Sequence, residues 1–573
     1  LWIHCATFLM TTGCVALTTW IICRKFMRGS SGAADDYFAG GRSLKWYVVA
    51  GSLMLTNLST EQLVGLNGNV FLDGNLCGIW WEAGAAIAMI CTSTVFLPKY
   101  MALGLTTTSS YLGERYDLFA RTLVSAVFLI YYTLVLCPMV LYTGALAIRN
   151  IFDLEDVPLW TVSLLIGLLG ACYALFGGLK AVVVSDCING VGLILVGLWV
   201  PLAALSHIGG ISALFEEPSY LQTLSARSQI FDKDTQSRSW GTPSLPWHVT
   251  ITGLSLNNLY YWSTNQVIMQ RVLAARSLAE GQKGVLFAAS MKVVGFAFLC
   301  LPGIIAMLLI KKQAVINGSV FTIAKSDEVY PELVKAVMPK WSLGFFAAVL
   351  IGSVLSTFNS ALNSASTIFG LEIYKIYVKP DASEQRVVRV ATAFGAIMTL
   401  ASFFLAPQLG KVDAIFPLLQ RLNTIISLPM VVVFFVGIAS SLPDAFAAKV
   451  GFSVGILACG LGQILPETFP DVPAFHYLHI YFVSFLVASG AMALATYLPT
   501  LRSFIGLASP TAYVARLGVE LVDITPWRPM RCLIPAIWAN LALLILALQT
   551  ASPELFYTFW ICWAMTVVGL MAL

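Results

Sequence analysis

Runs of about twenty apolar residues recur along the whole chain, parted by short stretches where polar and charged residues gather. At 1.5 Å of rise per residue, each run is long enough to cross a hydrocarbon layer ~30 Å thick. Backbone groups in lipid must be paired within their own segment, so the runs predict helices. They begin near residues 4, 46, 78, 118, 158, 181, 246, 285, 341, 388, 411, 444, 475, 530 and 554. Only Ala551, Ser552 and Pro553 part the last two, which leaves the count open by one between fourteen and fifteen. The pattern predicts an all-α polytopic membrane protein.

Two of the runs are interrupted. The second is broken by Thr56, Asn57, Ser59, Thr60, Glu61 and Gln62, then Gly65, Asn67 and Gly68; the seventh is broken by Asn257, Asn258, Ser263, Thr264, Asn265 and Gln266. A helix end or an interhelical hydrogen-bond seam explains one such segment easily. Two of them five spans apart fit better with an inverted repeat, in which discontinuous helices free backbone groups for ions and solute near the midplane. The ninth run carries Ser353, Ser356, Thr357, Ser360, Asn363, Ser364 and Thr367 on one helical stripe. Small hydroxyl residues at this spacing commonly serve close packing. Beside an unwound helix they also offer neutral oxygens, a donor set better suited to Na⁺ than to H⁺.

Composition removes the soluble classes. The chain has 573 residues, 58% apolar and 11% charged, with a mean hydropathy of +0.82, against roughly 25% charged in soluble domains. Four charges stand deep in apolar runs: Glu82, Asp186, Lys292 and Arg421. Such residues pair with one another, with ions or with a polar solute. For Glu82 and Lys292, a structural ion pair and a ligand contact are both open. Loop charges orient the chain. With the N-terminus outside, the internal loops collect Arg24, Lys25, Arg28, Arg42, Lys45, Lys99, Arg115, Lys180, Arg271, Arg276, Lys283, Lys375, Lys379, Arg386, Arg389, Lys449, Arg502, Arg516, Arg528 and Arg531, about twice the opposite side. The outer side includes two long loops near 207–245 and 311–340. The second holds Asn317-Gly318-Ser319, a glycosylation acceptor in a eukaryotic source.

Other motifs add little. Arg24, Lys25 and Arg28 follow the first apolar run in place of a small-residue cleavage site, so it reads as a retained span. The twelve cysteines lie almost all inside apolar runs, as small hydrophobes. His476 and His479 read as a solvated interfacial pair at the outer end of a late span. No Gly-x-x-x-x-Gly-Lys-Ser/Thr string occurs, which argues against an ATP-driven pump. No paired carboxylates or nucleophile and base suggest an enzyme. The expected partners are a small solute and the bilayer, with no nucleic acid and no obligatory protein partner.

Long strings then resemble the sodium/solute symporter family, in the branch of the sodium/galactose and sodium/glucose cotransporters. They are Thr56 to Gln62, Asn258 to Trp262, Asn265-Gln266, Gln270-Arg271, Leu273 to Ala275, Gly281 to Gly284 and Leu362 to Phe369, with Tyr173, Gly177-Gly178-Leu179 and Asp186 between them. The similarity spans roughly residues 35–440. It implies a five-plus-five inverted-repeat core of the leucine-transporter type, with one extra N-terminal helix and several C-terminal ones. The expected division is 1–45 for the extra helix and internal loop, 46–206 and 246–440 for the two repeats, 207–245 for an external loop, and 441–573 for the C-terminal helices.

The resemblance also implies site residues. Na⁺, the co-transported ion, is expected at the carbonyls of Leu55, Leu58 and Ser353 and the hydroxyls of Ser356 and Thr357, with Asp186 on the inner ion-exit route. Gln62, Glu82, Asn258 and Lys292 are expected on sugar hydroxyls, for which they supply strong donors and acceptors. Tyr261 is expected to stack on the sugar as the inner gate. Two positions depart from the pattern. Ala85 stands where the galactose transporter has serine, and counting eight residues back from Pro429 gives Arg421, with the expected glutamine one place off at Gln420. One residue turns a helical side chain by about 100°. Either Gln420 faces the solute, or Arg421 does and favours an acidic sugar, or Arg421 pairs elsewhere. The implied function is a sodium-coupled symporter importing a small polar solute, with a sugar leading, across the plasma or bacterial inner membrane. The rivals are an acidic sugar or non-sugar solute, and a sensor or channel on the same fold.

Overall fold

A computed structural model of the chain describes residues 2–26, 32–152, 154, 156–232, 237–323, 325–411, 415–469, 475–497 and 523–572. Arg28, Arg502 and Arg516, counted among the internal charges, lie outside the described residues, as do the side chains of Thr60, Glu61 and Tyr173. The main helices are α1 (Trp2–Phe26), α2 (Trp46–Asn57), α3 (Thr60–Asp73), α4 (Trp80–Cys91), α5 (Leu118–Tyr131), α6 (Cys137–Ile151), α7 (Leu159–Ser206), α8 (Ser255–Ser263), α9 (Gln266–Leu273), α10 (Leu278–Val294), α11 (Leu301–Lys311), α12 (Leu343–Ile368), α13 (Glu384–Leu405), α14 (Ile415–Ala439), α15 (Ala445–Thr468), α16 (Tyr477–Tyr497), α17 (Met530–Gln549) and α18 (Pro553–Ala572). Among the described residues, 11 helices are long and apolar enough to cross a membrane.

Each predicted run is helical. The runs starting near 158 and 181 share α7, which turns at Gly178 with φ 57° and ψ −161°. A Cβ there would lie 2.9 Å from the Tyr37 carbonyl oxygen, so both the backbone angle and the close approach require glycine. The last two runs are separate helices, α17 and α18, parted by Ala551 at φ 49°.

Both interrupted runs break where the polar residues stand. Between α2 and α3, Leu58 (φ −79°, ψ 69°) and Ser59 (φ −86°, ψ 170°) leave helical geometry. The Ser59 amide, which would close on the Leu55 carbonyl in a continuous helix, bonds Asn57 O at 2.9 Å instead. Between α8 and α9 the break falls at Thr264 and Asn265. Asn265 Oδ1 caps α9 by accepting from the Val267 amide at 3.0 Å and also accepts from Tyr132 Oη at 2.8 Å. The new helix start thus keeps its amides paired.

Central and peripheral helices separate clearly. Most of the span containing α12 is buried inside the protein, whereas the span in α1 is almost wholly exposed. The α12 hydroxyl stripe is wholly interior and meets α2 and α9, while α12 itself packs along α7. At one end the loop after α7 forms an antiparallel hairpin, β1 (Ser228–Asp232) with β2 (Ser237–Gly241). Its Arg238 donates to Phe71 O at 2.7 Å and so covers the end of α3. A second hairpin, β3 (Val315–Ile316) with β4 (Ser319–Val320), turns at Asn317 and Gly318, both at positive φ.

Candidate functional site

The two breaks face one cavity of about 850 Å³, its mouth included. The break itself contributes Thr56, Asn57, Ser59 and Gln62; α4 adds Glu82 and Ala85, preceded by Trp81; α8 adds Asn257, Asn258, Tyr261 and Trp262; α14 adds Gln420 and Asn423; α12 adds Thr357. Amides dominate its polar surface. Of the residues expected on the solute, Gln62, Glu82, Asn258, Tyr261 and Gln420 share this lining. Lys292 stands just behind it, fully buried, donating to Glu82 Oε2 at 2.7 Å and to Asn57 Oδ1. Its ammonium also lies 5.5 Å from the centre of the Trp262 ring. The charge of the pair is thus neutralised within the wall, while Gln62 Oε1 meets no partner among the described residues.

Arg421 departs from the expectation of a deep charge. Its side chain is exposed and outside the cavity lining, close to His476 and Tyr477. The physical reason is helical phase: with Gln420 turned toward the cavity, its successor points about 100° away. Ala85 lines the cavity as a methyl group, with no hydroxyl to offer.

A second polar locus lies where α2 ends against α12. Ser353 Oγ donates to the Leu58 carbonyl. Thr357 Oγ1 makes two long bonds, 3.4 Å to Thr56 O and 3.3 Å to Ser353 O. Ser356 Oγ is buried and faces the Asp186 carboxyl without closing a well-formed hydrogen bond. Leu55 is fully buried one turn before the break, its carbonyl released from the helix ladder as described above. A buried hydroxyl left unpaired is costly. With the Leu58 and Thr56 carbonyls met by Ser353 and Thr357, it makes the junction of α2 and α12 rich in oxygen, as a monovalent cation requires.

Asp186 occupies a third, more tightly bonded locus. Its Oδ2 accepts from Ser52 Oγ at 2.7 Å, from Thr56 Oγ1 at 3.4 Å and from Arg271 at 3.3 Å. Arg271, on α9, also donates through Nε to Ser52 at 2.7 Å and to Val267 O and Ser360 Oγ. One guanidinium therefore ties together α2, α7, α9 and α12. Nearby, Gln270 donates to Phe38 O and Thr367 Oγ1, each at 2.8 Å.

Sequence reasoning gave no role to Arg271, Asn57, Asn257 or Asn423. Asn57 sits inside a string already singled out. Asn257 and Asn423, 3.5 Å apart, come together only through the approach of α8 and α14. Arg271 was counted as a loop charge because α9 is short and mixed in polarity, although only 1% of it is exposed.

Comparison with known proteins fits this arrangement. The sodium:solute symporter family profile matches residues 37–454. The uncharacterized symporter YidK of Escherichia coli is 36% identical over 92% of this chain and 87% of its own length. The sodium/glucose cotransporter of Vibrio parahaemolyticus is 30% identical over 77% of this chain and 82% of its own. A solved Na⁺-coupled sialic acid symporter, 21% identical, superposes with a TM-score of 0.70 over 86% of this chain and 98% of that one, which establishes the shared fold. The five-plus-five inverted-repeat architecture, the two broken helices and the family match lead to one conclusion: the chain belongs to the sodium:solute symporter family and is an integral membrane transporter that couples solute import to Na⁺, not an enzyme.

Proposed function

We propose that the solute is a neutral sugar. The observation that carries this reading is the charge balance of the cavity: its walls present amides and a Glu82–Lys292 pair that is already neutral, and Arg421 stands outside the lining. An anionic solute would enter a site with no surplus positive charge, which electrostatic complementarity disfavours. A polyol finds both donors and acceptors in Gln62, Asn258 and Gln420, with a charge-assisted bond accepted by Glu82, which Lys292 holds from behind. Tyr261 offers a ring for the apolar face of a pyranose and acts as the inner gate. The name of the Vibrio parahaemolyticus relative, a sodium/glucose cotransporter, supports the same class.

In this reading Na⁺ binds Leu55, Leu58, Ser353, Ser356 and Thr357, which hold the first break in shape for solute binding at Gln62, so each ligand raises the affinity for the other. Asp186 lies on the ion's inward exit route. The two repeats run over 46–206 and 246–440, the N-terminus is outside, and transport proceeds by alternating access across the plasma or bacterial inner membrane. The test is uptake of labelled glucose, galactose and a hexuronate into proteoliposomes, with Na⁺ or choline outside. A neutral hexose should accumulate above its external concentration only with Na⁺. Equilibration without accumulation would mark a channel, binding without uptake a sensor, and accumulation of the hexuronate alone would overturn the neutral-sugar reading.

A further inference from the structure

Three of the chain's five histidines meet at the end of the molecule that carries the 207–245 loop. His248 stands in the Trp247–Val249 turn that leads into α8, His476 just before α16, and His479 in the first turn of α16. His248 Nδ1 and His479 Nε2 are 2.6 Å apart. The ring planes differ by 13° and the centroids are 4.7 Å apart. Near-parallel rings whose centres are much farther apart than their facing nitrogens lie end to end, so each nitrogen points at the other. A neutral imidazole offers one N–H and one lone pair, and an imidazolium offers two N–H groups. The contact therefore holds one proton and has no room for two.

The surroundings assign that proton. Thr252 Oγ1 donates within its own turn, to His248 O at 3.2 Å or Val249 O at 3.4 Å, and so accepts from His479 Nδ1 at 3.3 Å. His479 Nε2 is then bare and accepts from the Nδ1–H of His248. A proton on the outward nitrogen of one ring leaves the bridge intact. A second sets N–H against N–H. Among the described residues, the titratable and charged groups around the pair are His476, Tyr477, Arg421 and Asp73. His476 donates to Ser244 O at 3.0 Å, and burial pushes its pKa down to about 4, so it begins to take up a proton only at the acid end of the range. Arg421 adds positive charge beside it. Asp73 accepts from the Ser244 amide at 2.9 Å, and burial raises its carboxyl to about 6, so it titrates in the same window and the histidine variants separate its effect from that of the clasp.

The contact also has mechanical reach. Gly253, in the π-helical turn Thr250–Leu254, lies so close to α16 that a Cβ would come within 1.9 Å of the Leu478 carbonyl oxygen. Leu245, Val249, Leu254 and Leu478 form a small buried cluster against Trp81, which lines the cavity. Movement of the turn against α16 therefore disturbs the cavity wall.

We propose that His248 and His479 form a proton-limited clasp behind the Trp81 wall of the cavity, holding the outer half of the second broken helix against α16 and releasing it when both rings are protonated. The closed clasp binds the second proton less tightly than the open one. Its contribution is thus complete at neutral pH and is lost as pH falls far enough to protonate both rings. The word outer rests on the orientation proposed above.

The test needs no solute. Amide hydrogen exchange of residues 247–263 is measured by mass spectrometry on the full chain in proteoliposomes, at pH 7 and pH 4.5, corrected for intrinsic exchange. Loss of one such hydrogen bond predicts about a tenfold drop in protection of this segment at pH 4.5. His479→Gln should show the low protection at both pH values, and His248→Gln supplies the same comparison if the first variant fails to insert. Unchanged wild-type protection between the two pH values overturns the clasp, as does an unaltered pH response in either variant. Acidifying one side at a time separates the two readings: a response only to lumenal or only to external acid, in vesicles of known insertion, places the clasp, and a response from the inner side refutes the orientation while leaving the clasp standing.

Discussion

Two buried ion pairs, Glu82–Lys292 and Asp186–Arg271, are almost equally inaccessible, with side-chain exposures of 2% and 0% for the first and 0% and 1% for the second. They differ in what else they bond. Arg271 uses Nε and both terminal nitrogens on four groups drawn from three helices and its own turn, and Asp186 Oδ2 accepts from three donors. Lys292 donates to Glu82 and Asn57, and Glu82 borders the cavity. Burial alone therefore does not distinguish a structural pair from a binding one. Spare hydrogen-bonding capacity next to open space does. The pair bonded across several helices and away from the cavity braces them, and the pair that borders the cavity has a face left for a solute.

The sharpest way to break this contrast is to remove each cation in turn. Arg271→Ala leaves Asp186 buried without its partner, a change that destabilises by about 3–5 kcal/mol. The expected outcome is a large fall in melting temperature and in the amount of inserted protein. Lys292→Ala, beside a wet cavity, should insert far better. If the two variants melt alike, the distinction between bracing and binding pairs fails.

Next in size is the ion locus, where the double variant Ser356→Ala with Thr357→Ala removes two hydroxyls while keeping the packing of α12. Sodium-stimulated uptake should vanish and insertion should persist, read as uptake against Na⁺ concentration beside surface quantification. Retained sodium stimulation would remove these residues from the ion site. Glu82→Gln follows, with a smaller effect. Losing a charged hydrogen bond to a hydroxyl is worth ~1.5–3 kcal/mol, or roughly ten- to hundredfold in solute affinity. A competition assay reads it, and an unchanged affinity would turn Glu82–Lys292 into a second bracing pair.

How much of this was legible in the sequence follows from which signals are local. The broken helices were readable because polar residues interrupting an apolar run need no partner to be noticed, and Asn57 to Gln62 and Asn257 to Gln266 recur five spans apart. The α12 stripe was readable from periodicity. Arg271 was not, because its partner Asp186 lies 85 residues away and the short helix α9 does not look like a span. The cavity's Asn257 and Asn423 were likewise set by tertiary approach, and His248 gained its meaning only when α16 placed His479 against it. Gln420 and Arg421 show the limit most clearly: adjacent polar residues on one helix differ by a rotation that the sequence does not determine.

That rotation supplies the smallest predicted effect. With Arg421 exposed beside His476 and Tyr477, and Gln420 in the lining, Arg421→Gln should leave the competition order of neutral and acidic sugars unchanged and alter apparent affinity by less than about twofold, since an exposed charge is well screened. Gln420→Ala should instead weaken neutral-sugar competition, because it removes an amide from the cavity wall. The pair of variants tests helical phase directly. A rotation of α14 by one residue would exchange their phenotypes: Arg421→Gln would then shift preference toward neutral sugars, as the guanidinium that attracted acids and rejected neutral solutes disappeared, and Gln420→Ala would be silent. In that outcome the charge balance behind the neutral-sugar reading also fails, because the cavity would carry a net positive charge opposite an already neutral Glu82–Lys292 pair.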